Sequence, residues 1–220
     1  MHMESFLFIG GEGPAPSAFL PFIAPGDFIA CADSGLDLAL KAGLKPDLVL
    51  GDLDSTQRLD FLKDFPAERL VRVRHEKDET DTELGLSLLK EGGHERVSLV
   101  GGGNGRLDHF IAVYELFQRP ETNLWRWFAP TEWAEVLSGR LSYACAPKER
   151  LSVFPLGPET LRLKSFGLKW PLEGLSFQRG HFGISNESLA NKVELEVLSG
   201  RALLIREYPR PTLDGKGKNL

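Results

Sequence analysis

The chain has 220 residues, 42% of them hydrophobic and 26% charged, with 23 Gly and 14 Pro, which excludes a disordered or fibrous protein and suits one large or two small loop-rich globular domains. Its formal net charge is -5, from 26 basic and 31 acidic side chains without a basic run, so a surface that neutralises nucleic-acid phosphates is not expected. Cys31 and Cys145 stand far apart and belong to no C-x-x-C pair, which argues against a disulfide framework or thiolate zinc site and fits a cytoplasmic setting. No run approaches the roughly 18 apolar residues of a membrane span, and residues 6–9 are too few for a signal-peptide core.

From the N-terminus, four short apolar runs, at 6–9, 28–32, 48–50 and 97–100, each lead into a loop of Gly and acidic residues. Helical patterns lie between them. Residues 34–42 place Leu36 and Leu40 one turn apart and stop at Gly43, which takes the left-handed conformation easily. Thr80 and Glu83 form a capping-box pattern that opens a helix to about Lys90, with Leu84 and Leu88 on one face. A further helix is expected over about 107–117. This alternation predicts an α/β domain with a mainly parallel, Rossmann-like sheet over residues 1–142.

From about Ser142 the pattern changes. Runs at 151–154, 161–166, 193–198 and 202–208 are short, strand-like and separated by Pro, Gly or Ser-Gly turns. Val193, Leu195 and Val197 alternate with Glu194 and Glu196, the mark of a strand with one wet face. Residues 143–210 are therefore expected to be antiparallel and all-β, the last two strands joined as a hairpin at Ser199-Gly200. Residues 211–220 are read as a flexible tail.

In an open parallel sheet the loops that follow the strands share one edge, and ligands bind there because helix N-termini and backbone N–H groups point at it. Asp33, Asp52, Asp54 and the Gly101–Gly105 loop are expected on that edge, with Asp81 at the start of the Thr80-capped helix. Clustered carboxylates repel unless a cation or hydrogen bonds compensate. Hard oxygen donors without a suitable His/Cys set point to Mg²⁺, which usually keeps positions for water and substrate phosphates, so the cluster predicts a nucleotide. The bland alternative for any one of these aspartates is a turn or cap residue, whose side chain accepts local N–H bonds. The glycine loop is read either as a flexible turn or as a place where backbone N–H groups approach phosphate, with Arg106 adding a cationic fork.

Common nucleotide motifs fail. Residues 101–106 put Arg at the last glycine of G-x-G-x-x-G, and no G-x-x-x-x-G-K-[ST] occurs. His75, His94, His109 and His181 lack zinc-like spacing, and neither Ser34 nor Ser185 sits in G-x-S-x-G.

The ordered set Ala32-Asp33-Ser34-Gly35, Gly51-Asp52-Leu53-Asp54-Ser55, Lys77-Asp78-Glu79-Thr80-Asp81 and Gly105-Arg106-Leu107-Asp108-His109 resembles the thiamin pyrophosphokinase family. The likeness continues through residues 167–172 and 183–187. The resemblance implies an N-terminal ATP-binding catalytic domain, a C-terminal thiamin-binding β-sandwich and a homodimer with active sites where the two kinds of domain meet across subunits. It implies that Asp52, Asp54 and Asp81 are associated with Mg²⁺, that Asp33, Ser34, Asp78, Arg106 and Asp108 lie near ATP, and that Trp170, Ser185 and Asn186 face thiamin. Asp52, Asp54, Asp78 and Asp81 then carry the catalytic role. Leu53 stands where many relatives have Phe, and Asn104 interrupts a plainer Gly-Gly-Arg run. The implied reaction is attack of the thiamin hydroxyl on the β-phosphorus of ATP with release of AMP. A diphosphokinase for another heterocyclic alcohol such as a hydroxymethylpterin, a non-catalytic thiamin or nucleotide sensor, and a metal-dependent phosphohydrolase are the competing readings.

Overall fold

A computed structural model describes residues 3–73 and 79–208. The chain divides into two compact units, one of residues 1–130 with 134–136 and one of 131–133 with 137–220.

In the first unit, β1 (Ser5–Ile9), β2 (Phe28–Ala32), β3 (Leu48–Gly51), β4 (Leu70–Arg72), β5 (Val97–Gly101) and β6 (Leu124–Phe128) are followed by β7 (Glu132–Leu137), of which residues 134–136 belong to this unit. The strand order is β7-β6-β5-β1-β2-β3-β4, and each neighbour pair from β6 to β4 is parallel. β4 and β6 extend the sheet beyond the four strands expected, because one is too short and the other too rich in Trp and Arg to stand out as an apolar run.

Among the described residues, α-helices connect the strands: α1 (Pro16–Phe19), α2 (Gly35–Lys41), α3 (Leu59–Lys63), α4 (Asp81–Glu91) and α5 (Leu107–Gln118). The central strands β1 and β5 are buried at every position, as a parallel sheet covered on both faces requires. Gly85 of α4 backs onto Leu7 and Leu50, whereas Phe19 of α1 meets Phe8 edge-on at 5.5 Å. Leu7 and Phe8 are strand neighbours and point to opposite faces, so the two helices cover opposite sides.

Local sequence chemistry sets the helix ends. At α2, Leu44 N–H donates to Ala39 O at 3.0 Å and Gly43 N–H to Leu40 O at 3.0 Å, with Gly43 at φ +77°, which is a Schellman stop. At α4 the Thr80 Oγ1 accepts from Glu83 N–H at 3.2 Å, and Glu83 Oε2 accepts from Thr80 N–H at 3.1 Å, the capping box that the spacing predicts.

The second unit contains β8 (Arg140–Ala144), β9 (Arg150–Leu156), β10 (Arg162–Phe166), β11 (Gly183–Glu187), β12 (Lys192–Ser199) and β13 (Arg201–Glu207). β9 pairs antiparallel with β11 and β13, while β12 pairs antiparallel with β10 and β8. Leu151, Val153, Ala202 and Leu204 from the first set share a core with Leu163, Val193 and Leu195 from the second. Two sheets therefore face each other across one apolar layer.

The expected hairpin at Ser199-Gly200 is not formed. β12 already has a neighbour on each side, so β13 cannot pair with it and crosses to the other sheet to join β9. Gly200, at φ +76°, makes that crossing where a Cβ would come within 3.1 Å of Leu161 Cα.

Candidate functional site

The loops after β1, β2, β3 and β5 open on one edge of the first unit's sheet. Asp33 follows β2 directly, at φ +47°, and its N–H donates to Leu50 O at 2.9 Å. Its Oδ1 accepts from Leu53 N–H at 3.1 Å, which ties the β2 loop to the β3 loop. Gly51 makes room for this carboxylate, since a Cβ there would lie 1.9 Å from Asp33 Oδ1.

Asp33 also shares a hydrogen bond with Asp81 and feels the charges of both Asp81 and Asp52. Burial first, then the Asp81 hydrogen bond and the neighbouring charges, outweigh the Leu53 N–H and push its carboxyl up to about 7. Three aspartates distant in sequence are thus gathered at the predicted edge. Asp54 is exposed and its N–H donates to Asp52 Oδ1 at 3.2 Å. Asp33 thus meets Asp81 side chain to side chain, whereas Asp54 meets Asp52 through its backbone N–H. Asp78 and His75 lie outside the described residues.

This donor set fits a divalent cation. Like charges forced together stabilise a positive ion between them, and all the donors are hard oxygens. Among the described residues no three His, Cys, Asp or Glu side chains are already arranged as a metal cage.

The β3 loop is held from a second side. Asp37, in the first turn of α2, accepts from Thr56 Oγ1 through Oδ1 at 2.8 Å and from Gln57 N–H through Oδ2 at 3.1 Å. Thr56 Oγ1 in turn accepts from Arg58 N–H at 3.1 Å. Sequence reasoning missed Asp37, Thr56 and the role of Gly51. The only signals were an acid in a helix first turn and a Thr two residues past Asp54.

The glycine loop differs from the expectation in one respect. Gly102 N–H donates to Gly10 O at 3.0 Å and Gly103 N–H to Glu12 O at 3.0 Å, with Glu12 N–H returning to Gly103 O at 2.8 Å. Those two amides pin the β5 loop to the β1 loop and do not face a ligand. Asn104, at φ +44°, hydrogen-bonds through its side-chain amide to Glu12. Ser34 packs against the same β1 loop, where a Cβ on Gly10 would lie 2.8 Å from its Oγ. Arg106 and Asp108 form a two-point pair, Nε to Oδ1 at 3.1 Å and Nη2 to Oδ2 at 2.6 Å, at the exposed start of α5. The guanidinium fork thus already grips an oxyanion group.

In the second unit, Asn186 is buried and clamps Trp170 by its backbone. Trp170 N–H donates to Asn186 Oδ1 at 3.2 Å, and Asn186 Nδ2 donates to Trp170 O at 2.7 Å. Trp170 is 51% exposed with the Lys169 ammonium 4.4 Å from the centre of its ring, and Lys169 is tied to Glu187 at 2.9 Å. Ser185 stands in an irregular stretch of β11 at φ +57°, with its N–H on Ser152 Oγ at 3.1 Å. Trp170 and Asn186 are therefore brought together, and Asn186 acts on the indole's support.

Fold and site together define a class: a parallel-sheet α/β unit with clustered acids on its ligand edge, followed by an antiparallel β unit with an exposed, anchored Trp. The family profile for the thiamin pyrophosphokinase catalytic domain matches residues 21–125, and that for the thiamin pyrophosphokinase vitamin B1 binding domain matches 144–201. A thiamine pyrophosphokinase of Bacillus subtilis (strain 168) is 26% identical over 189 residues, covering 79% of this chain and 84% of its own. A crystal structure of the Bacillus subtilis thiamine pyrophosphokinase superposes with a TM-score of 0.76 at 24% identity, covering 93% of this chain and 98% of that one. The thiamin pyrophosphokinase of Geobacillus thermodenitrificans gives 0.72 at 24% identity, over 98% and 100%. That from Candida albicans shares the fold at 14% identity with a TM-score of 0.70, over 94% and 89%. The chain belongs to the thiamin pyrophosphokinase family, and its activity is that of a thiamin pyrophosphokinase.

Proposed function

We propose that the chain carries out this activity by moving the terminal diphosphate of ATP to the primary hydroxyl of thiamin, with the first unit holding ATP and the second thiamin. The observation that carries the reading is the gathering of Asp33, Asp52 and Asp81 on the loop edge, with burial and mutual repulsion holding Asp33 up at about 7. Asp52, Asp54 and Asp81 would hold Mg²⁺. When bound, the ion would neutralise charge on the phosphate oxygens and make AMP a better leaving group.

The chain's own residues do the positioning. Asp33 fixes the β3 loop through Leu53 N–H. Arg106 exchanges Asp108 for phosphate oxygens of the same fork-matching geometry. As the oxygen attacks the β-phosphorus and AMP leaves, the hydroxyl proton goes to Asp78 or Asp81 or, because a metal-bound carboxylate is a poor base, to solvent or a phosphate oxygen. A cation already rests on the Trp170 ring, which supports that ring as a platform for the aromatic, cationic body of thiamin. The exposed apolar side chains Leu107, Phe110 and Ile111 on α5 support a homodimer with this face covered.

Incubation with ATP, Mg²⁺ and thiamin, followed by mass identification of the products, tests the reading. Thiamin diphosphate and AMP are expected. AMP formed only with another alcohol, or phosphate released to water, overturns it.

A further inference from the structure

The β3 loop carries two of the three aspartates assigned to the metal, and Asp33 of that acid cluster anchors it through Leu53 N–H. A further anchor is the contact with Asp37. It stands on the first turn of α2, a helix fixed to β1 by Gly35, whose Cβ would lie 2.2 Å from Phe8 O. No side chain larger than hydrogen fits there, so the start of α2 packs directly on the β1 backbone.

We infer that Asp37 and Thr56 form a clasp that positions Asp52 and Asp54 for the divalent ion and the triphosphate, an inference that rests on the functional reading above. Both Asp37 carboxylate oxygens are engaged, one by Thr56 Oγ1 and one by Gln57 N–H. Thr56 is buried at 6% exposure and relays the hold to Arg58 N–H. The clasp begins two residues past Asp54. Without it the segment after Asp54 keeps its covalent connection and loses its fixed end, so the carboxylates sample more positions and meet the ion in the right one less often. Asp37 and Thr56 are positioning residues and touch neither substrate.

Thr56→Val keeps the side-chain shape and removes the hydroxyl, Thr56→Ser restores it, and Asp37→Ala removes the acceptor. Two readouts are taken on each folded variant: Mn²⁺ binding to the protein by electron paramagnetic resonance, and the Mg²⁺ and thiamin dependence of thiamin diphosphate formation. The clasp predicts that Thr56→Val and Asp37→Ala weaken Mn²⁺ binding and raise the Mg²⁺ half-saturation by about tenfold, the scale of one hydrogen bond to a carboxylate. The thiamin KM stays unchanged, and Thr56→Ser recovers most of the loss. Wild-type Mn²⁺ affinity in both Thr56→Val and Asp37→Ala overturns the inference, as does an equal rise in thiamin KM or a wild-type chain that binds no Mn²⁺. A wild-type chain that binds Mn²⁺ and makes no thiamin diphosphate overturns the functional reading instead, and the clasp is then judged on the Mn²⁺ titration of the variants.

Discussion

The carboxyl of Asp33 occupies the space that any side chain on residue 51 would need. Gly51→Ala therefore displaces Asp33 and also places an L side chain at φ +127°. It is expected to cost about 3 kcal/mol of stability in thermal unfolding and to remove most diphosphate transfer, whereas a neutral outcome in both would deny the crowding. At Trp170 the expectation is a split effect: Trp170→Ala raises the thiamin KM well above any change in the ATP KM in steady-state assays. Equal changes would contradict the platform role. The aspartates were legible as residues because each directly follows a strand or helix cap. Their pairing was not, since whether Asp81 meets Asp33 or Asp54 depends on where α4 lands on the sheet. The partner of Asp37 was equally hidden, because 19 residues separate it from Thr56.

Capping chemistry at α4 joins an element to the site, because Asp81 is the first residue after the Thr80 cap. Burial pushes Glu83 up, but the hydrogen bonds from Thr80 N–H, Thr80 Oγ1 and Arg119 outweigh it and hold the carboxyl below its ordinary 4.5. A depressed acid contributes stability above its unfolded value and loses it as the pH falls through the folded one. The melting temperature of Glu83→Gln should therefore lie below that of the wild type by a constant margin between about pH 5 and 8, and the margin should close as the pH drops below about 4. A margin that widens in acid would contradict the assignment. The sequence displayed this helix clearly, as it did α2 and α5, because caps and apolar spacing are local. The chain's passage from β12 to β13 was misread for the opposite reason: Ser-Gly is a good hairpin turn, and only the prior pairing of β12 on both edges forbids one.

Across the whole molecule, the change from alternating strands and helices to strands alone was visible in the residue pattern, and the order of elements follows it. No helix among the described residues is long and apolar enough to cross a membrane. The exposed stripe of Leu107, Phe110 and Ile111 lies at helical spacing beside Arg106 and Asp108. If that face is covered in a homodimer, Ile111→Glu converts a dimer into a monomer in sedimentation velocity. A wild-type chain that sediments as a monomer at micromolar concentration would contradict the dimer. Self-association was not readable from periodicity alone, because a helix with apolar residues on most sides looks the same whether its extra face meets a partner or the solvent.

The claim on which the mechanism turns is that separate acidic loops act together on one triphosphate. Thiamin-dependent AMP formation, measured with saturating ATP and Mg²⁺ on the wild type and on Asp81→Asn shown to be folded by its melting curve, tests it most directly. The wild type should form AMP and thiamin diphosphate in equal amounts, and the variant should be slower by on the order of a hundredfold or more. Wild-type turnover in Asp81→Asn would contradict it.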